Sequence, residues 1–165
     1  MLLLATVNES RQVKPNMMTR YHPLKQTVFF SDRHRAPDWR AALTKGGPHC
    51  GLILRDYEAD NRAALAAEMR AFCRNQKRFF AIAGERTLAS RMGAAFHCPS
   101  HLLRRPLRYG PLSPLDTAAV HNETELFAAL RAGFRTVFIS PVFTTNSHIG
   151  QRGLGPIRAR ALAEM

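Results

Sequence analysis

The sequence predicts an α/β fold in which about six β-α units build a parallel sheet. Short apolar, β-branched and aromatic runs alternate with amphipathic helical segments from residue 26 to residue 165. The strand runs are almost wholly apolar, as in CGLIL at 50–54, which is typical of strands covered on both faces. Glycines at 46–47, 93 and 133 end the helical segments. Because strands that alternate with helices need crossover connections, the strands are expected to be parallel.

In the first half of the domain, strand and helix signals alternate three times. A polar loop, Asp32–Arg35, follows the first strand, and Pro37 suits the first turn of the helix after it. Asp60 is expected to cap a core-facing helix. The predicted strands are 26–31, 50–54 and 79–82.

The second half repeats the pattern with one long interruption. Four prolines between 99 and 117 predict mostly loop with at best one helical turn. Asn122 and Glu125 have the spacing of a helix capping box, and Pro156 opens a final helix. The predicted strands are 95–98, 118–120 and 136–139, with a short helix at 86–92.

Length and composition predict one folded domain with an extension. Residues 1–25 have no sustained periodicity and carry two prolines, so we expect a flexible N-terminal extension followed by a (β/α) domain at 26–165. No apolar run is long enough for a membrane span, and the start of the chain lacks the pattern of a secretory signal. The three cysteines have no metal or redox spacing, which predicts free thiols and a cytoplasmic location.

The charge balance is strongly basic. The chain has 24 basic residues, 20 of them arginine, against 12 acidic residues, for a formal charge of +12. Such an excess attracts polyanions and phosphorylated metabolites. No helix-turn-helix, zinc-finger or aromatic RNA-binding signature accompanies it, so the sequence favours a solvated arginine-rich surface over a nucleic-acid partner.

The most specific stretch is ISPVFTTNSHIG at 139–150, followed by GLG at 153–155. It resembles the segment after the sixth strand of the thiamine phosphate synthase family, which includes the thiazole tautomerases. The resemblance covers residues 26–165 and implies a TIM-barrel-like (β/α) repeat with about six of eight units present. The last two family strands, with their phosphate-holding loops, have no counterpart. Exposed strand edges would then need a cover: a partner chain such as a homo-oligomer, the N-terminal extension, or a rearranged open sheet.

The resemblance also implies a function in thiamine biosynthesis. The family couples an aminopyrimidine diphosphate with a thiazole phosphate, using magnesium, and releases pyrophosphate. Arg55 matches a family arginine, Thr145 and Ser147 match two loop hydroxyls, and His148 stands where the family has lysine; these four residues are the expected phosphate-binding set. The family's metal-binding Asn-Asp pair is replaced by Ala83-Gly84. No acid occurs between Glu85 and Asp116, where a second metal-binding aspartate would stand. The resemblance therefore implies a transferase-like chain with a degenerate active site and no retained magnesium ligands.

Three other functions remain open. His121 matches a tautomerase histidine that moves a proton while the thiazole becomes aromatic, which makes it the candidate catalytic residue. The chain could instead be a non-catalytic binding or regulatory module for a small phosphorylated thiazole or pyrimidine. A transition-metal site is the third, because several imidazole and thiol groups follow neighbouring strands. Its possible ligands are His97, Cys98, His101, His121 and His148.

Overall fold

A computed structural model of the chain describes residues 3–6, 27–104, 111–144 and 153–165. The strands are β1 (Leu3–Thr6), β2 (Val28–Phe30), β3 (Gly51–Leu54), β4 (Phe80–Ala83), β5 (Ala95–Cys98), β6 (Thr117–Val120) and β7 (Thr136–Ile139). The helices are α1 (Trp39–Lys45), α2 (Arg62–Asn75), α3 (Arg86–Arg91), α4 (Ser100–Leu103), α5 (Glu123–Ala132) and α6 (Pro156–Ala163).

The order of the strands identifies the architecture. Strands β2 to β7 are hydrogen-bonded in chain order, and every neighbouring pair among them is parallel. An open doubly wound sheet would reverse its strand order at a switch point. The sheet has no such reversal, so the six parallel strands form part of a TIM-like barrel, as predicted.

The sheet curls until its outer parallel strands approach each other. The rings of Phe30 on β2 and Phe138 on β7 make an edge contact with 5.3 Å between their centroids, although four strands lie between them in the sheet. Small residues, Ala81, Ala83 and Ala95, face the same interior and leave room for the two rings. The interior of the curled sheet is therefore filled by side chains.

Alternation along each strand divides the core into two layers. On β3, Ile53 points into the curled interior while Leu52 and Leu54 pack outward under the helices. On β4, Ala81 points inward and Ile82 outward. Both faces are covered, which explains the continuous apolar strands in the sequence.

The free edge of β7 is covered by β1, which pairs with it in antiparallel register from Leu3 opposite Ile139 to Thr6 opposite Thr136. Helix α6 packs against both strands. The sequence predicts a flexible extension over residues 1–25, and at Leu3–Thr6 that prediction is wrong. A four-residue apolar segment shows no periodicity of its own, since its order comes from a partner strand at the other end of the chain.

Most predicted boundaries agree with the structure. Strands β5 and β7 have the predicted limits, and α4 supplies the single helical turn. The side chain of Asn122 accepts a hydrogen bond from the Glu125 N–H at 2.9 Å, as the capping box predicts. Gly133 ends α5 in the left-handed conformation. One cap differs: the N-cap of α2 is Asn61, not Asp60.

The described part of the chain contains no helix with the length and apolarity needed to cross a membrane. All three cysteines are buried free thiols, as predicted. Burial raises the pKa of Cys73 to about 11, so this thiol stays protonated at neutral pH.

Candidate functional site

Arg55 and His121, the predicted phosphate-binding and catalytic residues that the structure describes, lie at the carboxyl ends of the parallel strands, the end at which such barrels bind ligands. Arg55 directly follows β3, and His121 directly follows β6. Strands β4 and β5 separate the two, so each belongs to its own part of the rim.

Arg55 ties the end of β3 to the end of β2. Its backbone N–H donates to the hydroxyl of Ser31 at 2.9 Å, and its guanidinium donates to Asp32 Oδ2 at 3.3 Å. The Ser31 N–H in turn donates to the carbonyl of Ile53 at 2.9 Å. Two extended strand ends thereby hold the guanidinium in a defined place.

Asp32 is the anionic partner in this arrangement. Its Oδ1 accepts the N–H groups of His34 and Arg35, both at 3.1 Å. Burial alone would raise the pKa of Asp32, but these two N–H groups and the charges of Arg55 and Arg35 lower it below its usual value. Asp32 is therefore ionised at neutral pH and competes with any anion for Arg55.

A cleft of about 190 Å³ opens between these strand ends. Its positively charged side chains are Arg33 and Arg55, and its negatively charged side chains are Asp32, Asp56 and Glu58. Ser31, His34 and Tyr57 complete the lining. A phosphate group entering the cleft would meet two guanidinium groups, but it would have to displace Asp32 from Arg55 to use that guanidinium fully.

Gly84, which the resemblance aligns with a metal-binding aspartate, is covered by the Tyr57 ring. A Cβ atom on Gly84 would lie 2.9 Å from Cε1 of the Tyr57 ring and 3.8 Å from Pro99 Cγ. Gly84 also has a φ of +77°, which L side chains rarely adopt. The Tyr57 ring therefore fills the space that a carboxylate at this position would need.

Arg62 holds this cover in place. Its guanidinium lies 5.6 Å from the Tyr57 ring centroid and donates to the Ala83 carbonyl at 2.7 Å. It also donates to the Asp56 carbonyl at 3.1 Å and to Glu85 Oε2 at 3.0 Å. Glu85, the nearest acid in sequence to Gly84, is thus engaged in an ion pair.

These residues do not fit a magnesium ion, which needs several hard oxygen ligands. Among the described residues, no three His, Cys, Asp or Glu side chains come together in a group that could hold a metal. The zinc or copper alternative meets the same obstacle in this part of the chain, and one of its expected ligands, His148, lies outside it.

His97 lies inside the curled sheet, not on its rim. Its ring makes edge contacts with Phe30 and Phe138 at centroid distances of 5.3 and 5.6 Å, and Nδ1 is 2.9 Å from the Thr117 hydroxyl. Burial, and secondly the positive charge of Arg55, lower the pKa of His97 to about 3. His97 is therefore a neutral core residue at pH 7.

His121 is held in one orientation at the end of β6. Its backbone N–H donates to Glu125 Oε2 at 2.8 Å, and its Nδ1 makes a short contact with the Ser140 carbonyl. Because a carbonyl can only accept, Nδ1 carries the proton and the lone pair is on Nε2. Glu125 is buried and also accepts from Arg104 at 2.9 Å, which fixes the carboxylate.

Three of the predicted phosphate-binding residues, Thr145, Ser147 and His148, lie outside the described residues, so their roles stay predictions. The segments that flank them meet at the end of β7. The N–H groups of Leu154 and Gly155 donate to the carbonyls of Pro141 and Val142 at 2.8 and 2.9 Å.

The sequence analysis missed the ionic partners on this rim. Asp32 and Asp56 each stand within two residues of a strand end, and that placement was the available signal.

A larger cavity of about 420 Å³ lies at the opposite end of the sheet, between the segment 111–114 and the segment 132–135. None of the predicted site residues lines it.

Comparison with known proteins supports the fold. No family model matches the sequence, and no curated protein matches it. Among solved structures, the chain is similar to thiamine phosphate pyrophosphorylase from Pyrococcus furiosus, with a TM-score of 0.61. The sequences are 17% identical, and the match covers 86% of this chain and 70% of that chain. The fold is thiamine phosphate synthase-like. At this level of identity the similarity concerns the fold alone.

Proposed function

We propose that this chain binds a phosphorylated thiazole or pyrimidine of thiamine biosynthesis without coupling the two substrates. The binding site is the rim at the carboxyl ends of the strands, with Arg55 as its phosphate-binding cation. The observation that carries the proposal is the Tyr57 ring lying over Gly84. Arg55 matches the arginine of the resembled family, whereas the Tyr57 ring fills the space that a metal-binding carboxylate would need.

The position of Arg55 supports the binding part of the proposal. Its guanidinium makes one hydrogen bond to another described residue, the bond to Asp32, and a guanidinium has five N–H donors. The remaining donors suit a phosphate, which guanidinium binds in a bidentate manner. The Ser31 contact holds the backbone of Arg55, so little order has to be created on binding.

The charge around the rim supports the absence of coupling. Departure of pyrophosphate builds negative charge on the leaving oxygens, and that charge needs a metal ion or preorganised cations. Arg62, the cation nearest to Gly84 on the rim, is committed to Ala83, Asp56 and Glu85. Among the described residues, the rim therefore lacks the concentration of free positive charge that the reaction needs.

Isothermal titration calorimetry with thiazole phosphate and with aminopyrimidine diphosphate, each with and without Mg²⁺, tests the proposal. We expect binding of at least one ligand, with an affinity that Mg²⁺ leaves unchanged. Arg55→Gln should weaken it by about tenfold, the worth of one charge-assisted hydrogen bond. Arg40→Gln is the control, because Arg40 is ion-paired like Arg55 but lies on α1 beside Glu68, away from the cleft. Equal affinities of the two variants would contradict the assignment of Arg55.

Asp32→Asn provides a test in the opposite direction. Removing the carboxylate charge frees Arg55, and an exposed pair of this kind is worth about 1 kcal/mol or less. We therefore expect phosphate-ligand affinity to rise by up to about fivefold. A fall in affinity would mean that Asp32 itself contacts the ligand.

A second candidate, a tautomerase-like proton transfer by His121, rests on the fixed ring of that residue. The Ser140 carbonyl holds the proton on Nδ1, so Nε2 is the basic nitrogen that a proton-transfer step requires. Conversion of the non-aromatic thiazole tautomer, followed by absorbance, should fall to background in His121→Ala. His101→Ala, which removes an exposed histidine elsewhere, should keep the wild-type rate. An unchanged rate in His121→Ala would end this candidate.

A further inference from the structure

The amino ends of the parallel strands lie opposite the proposed ligand site and carry a separate group of charged residues. Helix α6 ends at this end of the sheet with an ion pair between Arg160 and Glu164. Helices α1, α2, α3 and α5 also end here, and strands β3 to β7 begin here. Six exposed cations stand in the last turns of these helices or in the segments that follow them. We name this set the amino-end surface: Lys45, Arg74, Lys77, Arg91, Arg131 and Arg135.

The cations of the amino-end surface are unpaired among the described residues, whereas most others are paired. Seven ion pairs join described side chains, and none of them includes a member of this set. The paired cations are Arg35, Arg40, Arg55, Arg62, Arg104, Arg158 and Arg160. Among the described residues, these six cations therefore form a group of positive charge that no described carboxylate pairs with.

Acidic groups are almost absent from the same segments. Within the described residues of 45–50, 74–79, 91–94, 111–116, 131–135 and 163–165, the acidic side chains are Glu164, which pairs with Arg160, and one more, Asp116. It is buried and accepts the N–H groups of Phe96 and Ser113 at 2.8 and 2.9 Å. It therefore serves the fold and does not face an incoming ligand.

Cations at helix ends also offset the negative ends of helix dipoles. Comparing the charge of the dipoles with the charge of the cations shows whether this role accounts for all six. Each helix carboxyl end is equivalent to about −0.5 charge, so α1, α2, α3 and α5 together supply about −2. The six exposed cations exceed this threefold. Arg70 and Arg78, which donate hydrogen bonds to backbone carbonyls at this end, add further positive charge.

We propose that the amino-end surface binds the phosphodiester backbone of a nucleic acid. Four of its six cations are arginine, whose guanidinium matches phosphate oxygens in bidentate geometry. The four strand spacings from β3 to β7 cover about 19 Å, which corresponds to about six nucleotide steps. An anionic membrane is a poorer match, because among the described residues of this end the exposed large apolar residues are just Leu115 and Met165. The arrangement of charge thus favours the partner that the sequence alone argues against.

Fluorescence anisotropy with a labelled single-stranded RNA of about 20 nucleotides, and with duplex DNA of the same length, tests the proposal. With six phosphate contacts, the logarithm of the affinity should fall against the logarithm of salt with a slope of about −4 for RNA and −5 for duplex. The triple variant Lys77→Gln, Arg91→Gln, Arg135→Gln should reduce that slope by about 2 to 3 and weaken binding about tenfold or more.

The matched control is the triple variant Arg33→Gln, Arg40→Gln, Arg158→Gln. It removes the same formal charge from the other end of the sheet, so it should keep the wild-type salt slope to within about 1. Equal losses in both triple variants would overturn the proposal, because net charge alone would then explain binding. No binding at about 50 mM salt, or binding to vesicles with about 30% phosphatidylserine in place of RNA and DNA, would overturn it as well. Thermal melts verify that both variants are folded.

Discussion

The buried histidine makes stability depend on pH in a way that can be calculated. His97 has a pKa of about 3 in the folded chain and an ordinary value of 6.5 when unfolded. Because the folded pKa is the lower one, stability is fully present above pH 6.5 and falls as the unfolded chain takes up a proton below it. The fall continues until the folded pKa is reached. The slope in this window is about 1.4 kcal/mol per pH unit, so His97 alone should cost about 2 kcal/mol between pH 8 and pH 5.

Urea unfolding at several pH values measures this dependence, with the free energy of unfolding as the readout. In the variant His97→Gln, the free energy of unfolding should differ between pH 8 and pH 5 by about 2 kcal/mol less than in the wild type, whatever the variant's absolute stability. His101→Gln removes an exposed histidine and should keep the wild-type slope. If His97→Gln and the wild type show the same dependence on pH, then His97 is solvated and the side-chain packing inside the curled sheet is wrong.

Two further predictions concern structure. Removing residues 1–7 should expose the edge of β7, lower stability by about 2 to 3 kcal/mol and cause self-association visible by light scattering, whereas removing residues 1–2 should change neither. An unchanged melt of the shorter chain would refute the pairing of β1 with β7. Gly153→Ala should destabilise by about 1 to 3 kcal/mol, because the new Cβ would lie 2.7 Å from the Val142 carbonyl oxygen. Gly47 has a φ of +91° and open space around it, so Gly47→Ala should cost only about 1 kcal/mol in the same urea titration. Equal costs for the two variants would argue against the close contact between Gly153 and the Val142 carbonyl oxygen.

Local pattern was sufficient for the six β-α units, since each strand is a short apolar run and glycines follow three of the helices. The capping side chain of Asn122 and the left-handed Gly133 follow from residue type and spacing. Strand β1 could not be found in this way. Its hydrogen bonds depend on β7, and no local signal connects the two.

The candidate site, too, could be predicted from the sequence only in part. The resemblance implied that Gly84 replaces an aspartate, but no sequence pattern indicated that the Tyr57 ring fills the space beside Gly84. That contact depends on the left-handed backbone of Gly84 and on Arg62 beneath the ring. Likewise, His97 was expected near the rim, and only the alternation of side chains along β5 shows that it points into the interior.

The seven ion pairs and the unpaired amino-end surface could not be read from composition. A net charge of +12 gives no position, and position distinguishes a solvated surface from a binding surface. The topology supplies the positions, because it brings helix ends that are distant in sequence to one end of the sheet.

Release of pyrophosphate from aminopyrimidine diphosphate and thiazole phosphate, measured with Mg²⁺ in excess, tests the central claim most directly. We expect no release above the uncatalysed rate, while calorimetry under the same conditions shows binding of at least one of the two ligands. Mg²⁺-dependent release of pyrophosphate by the wild-type chain would contradict the account, because the Tyr57 ring over Gly84 would then not prevent the coupling reaction.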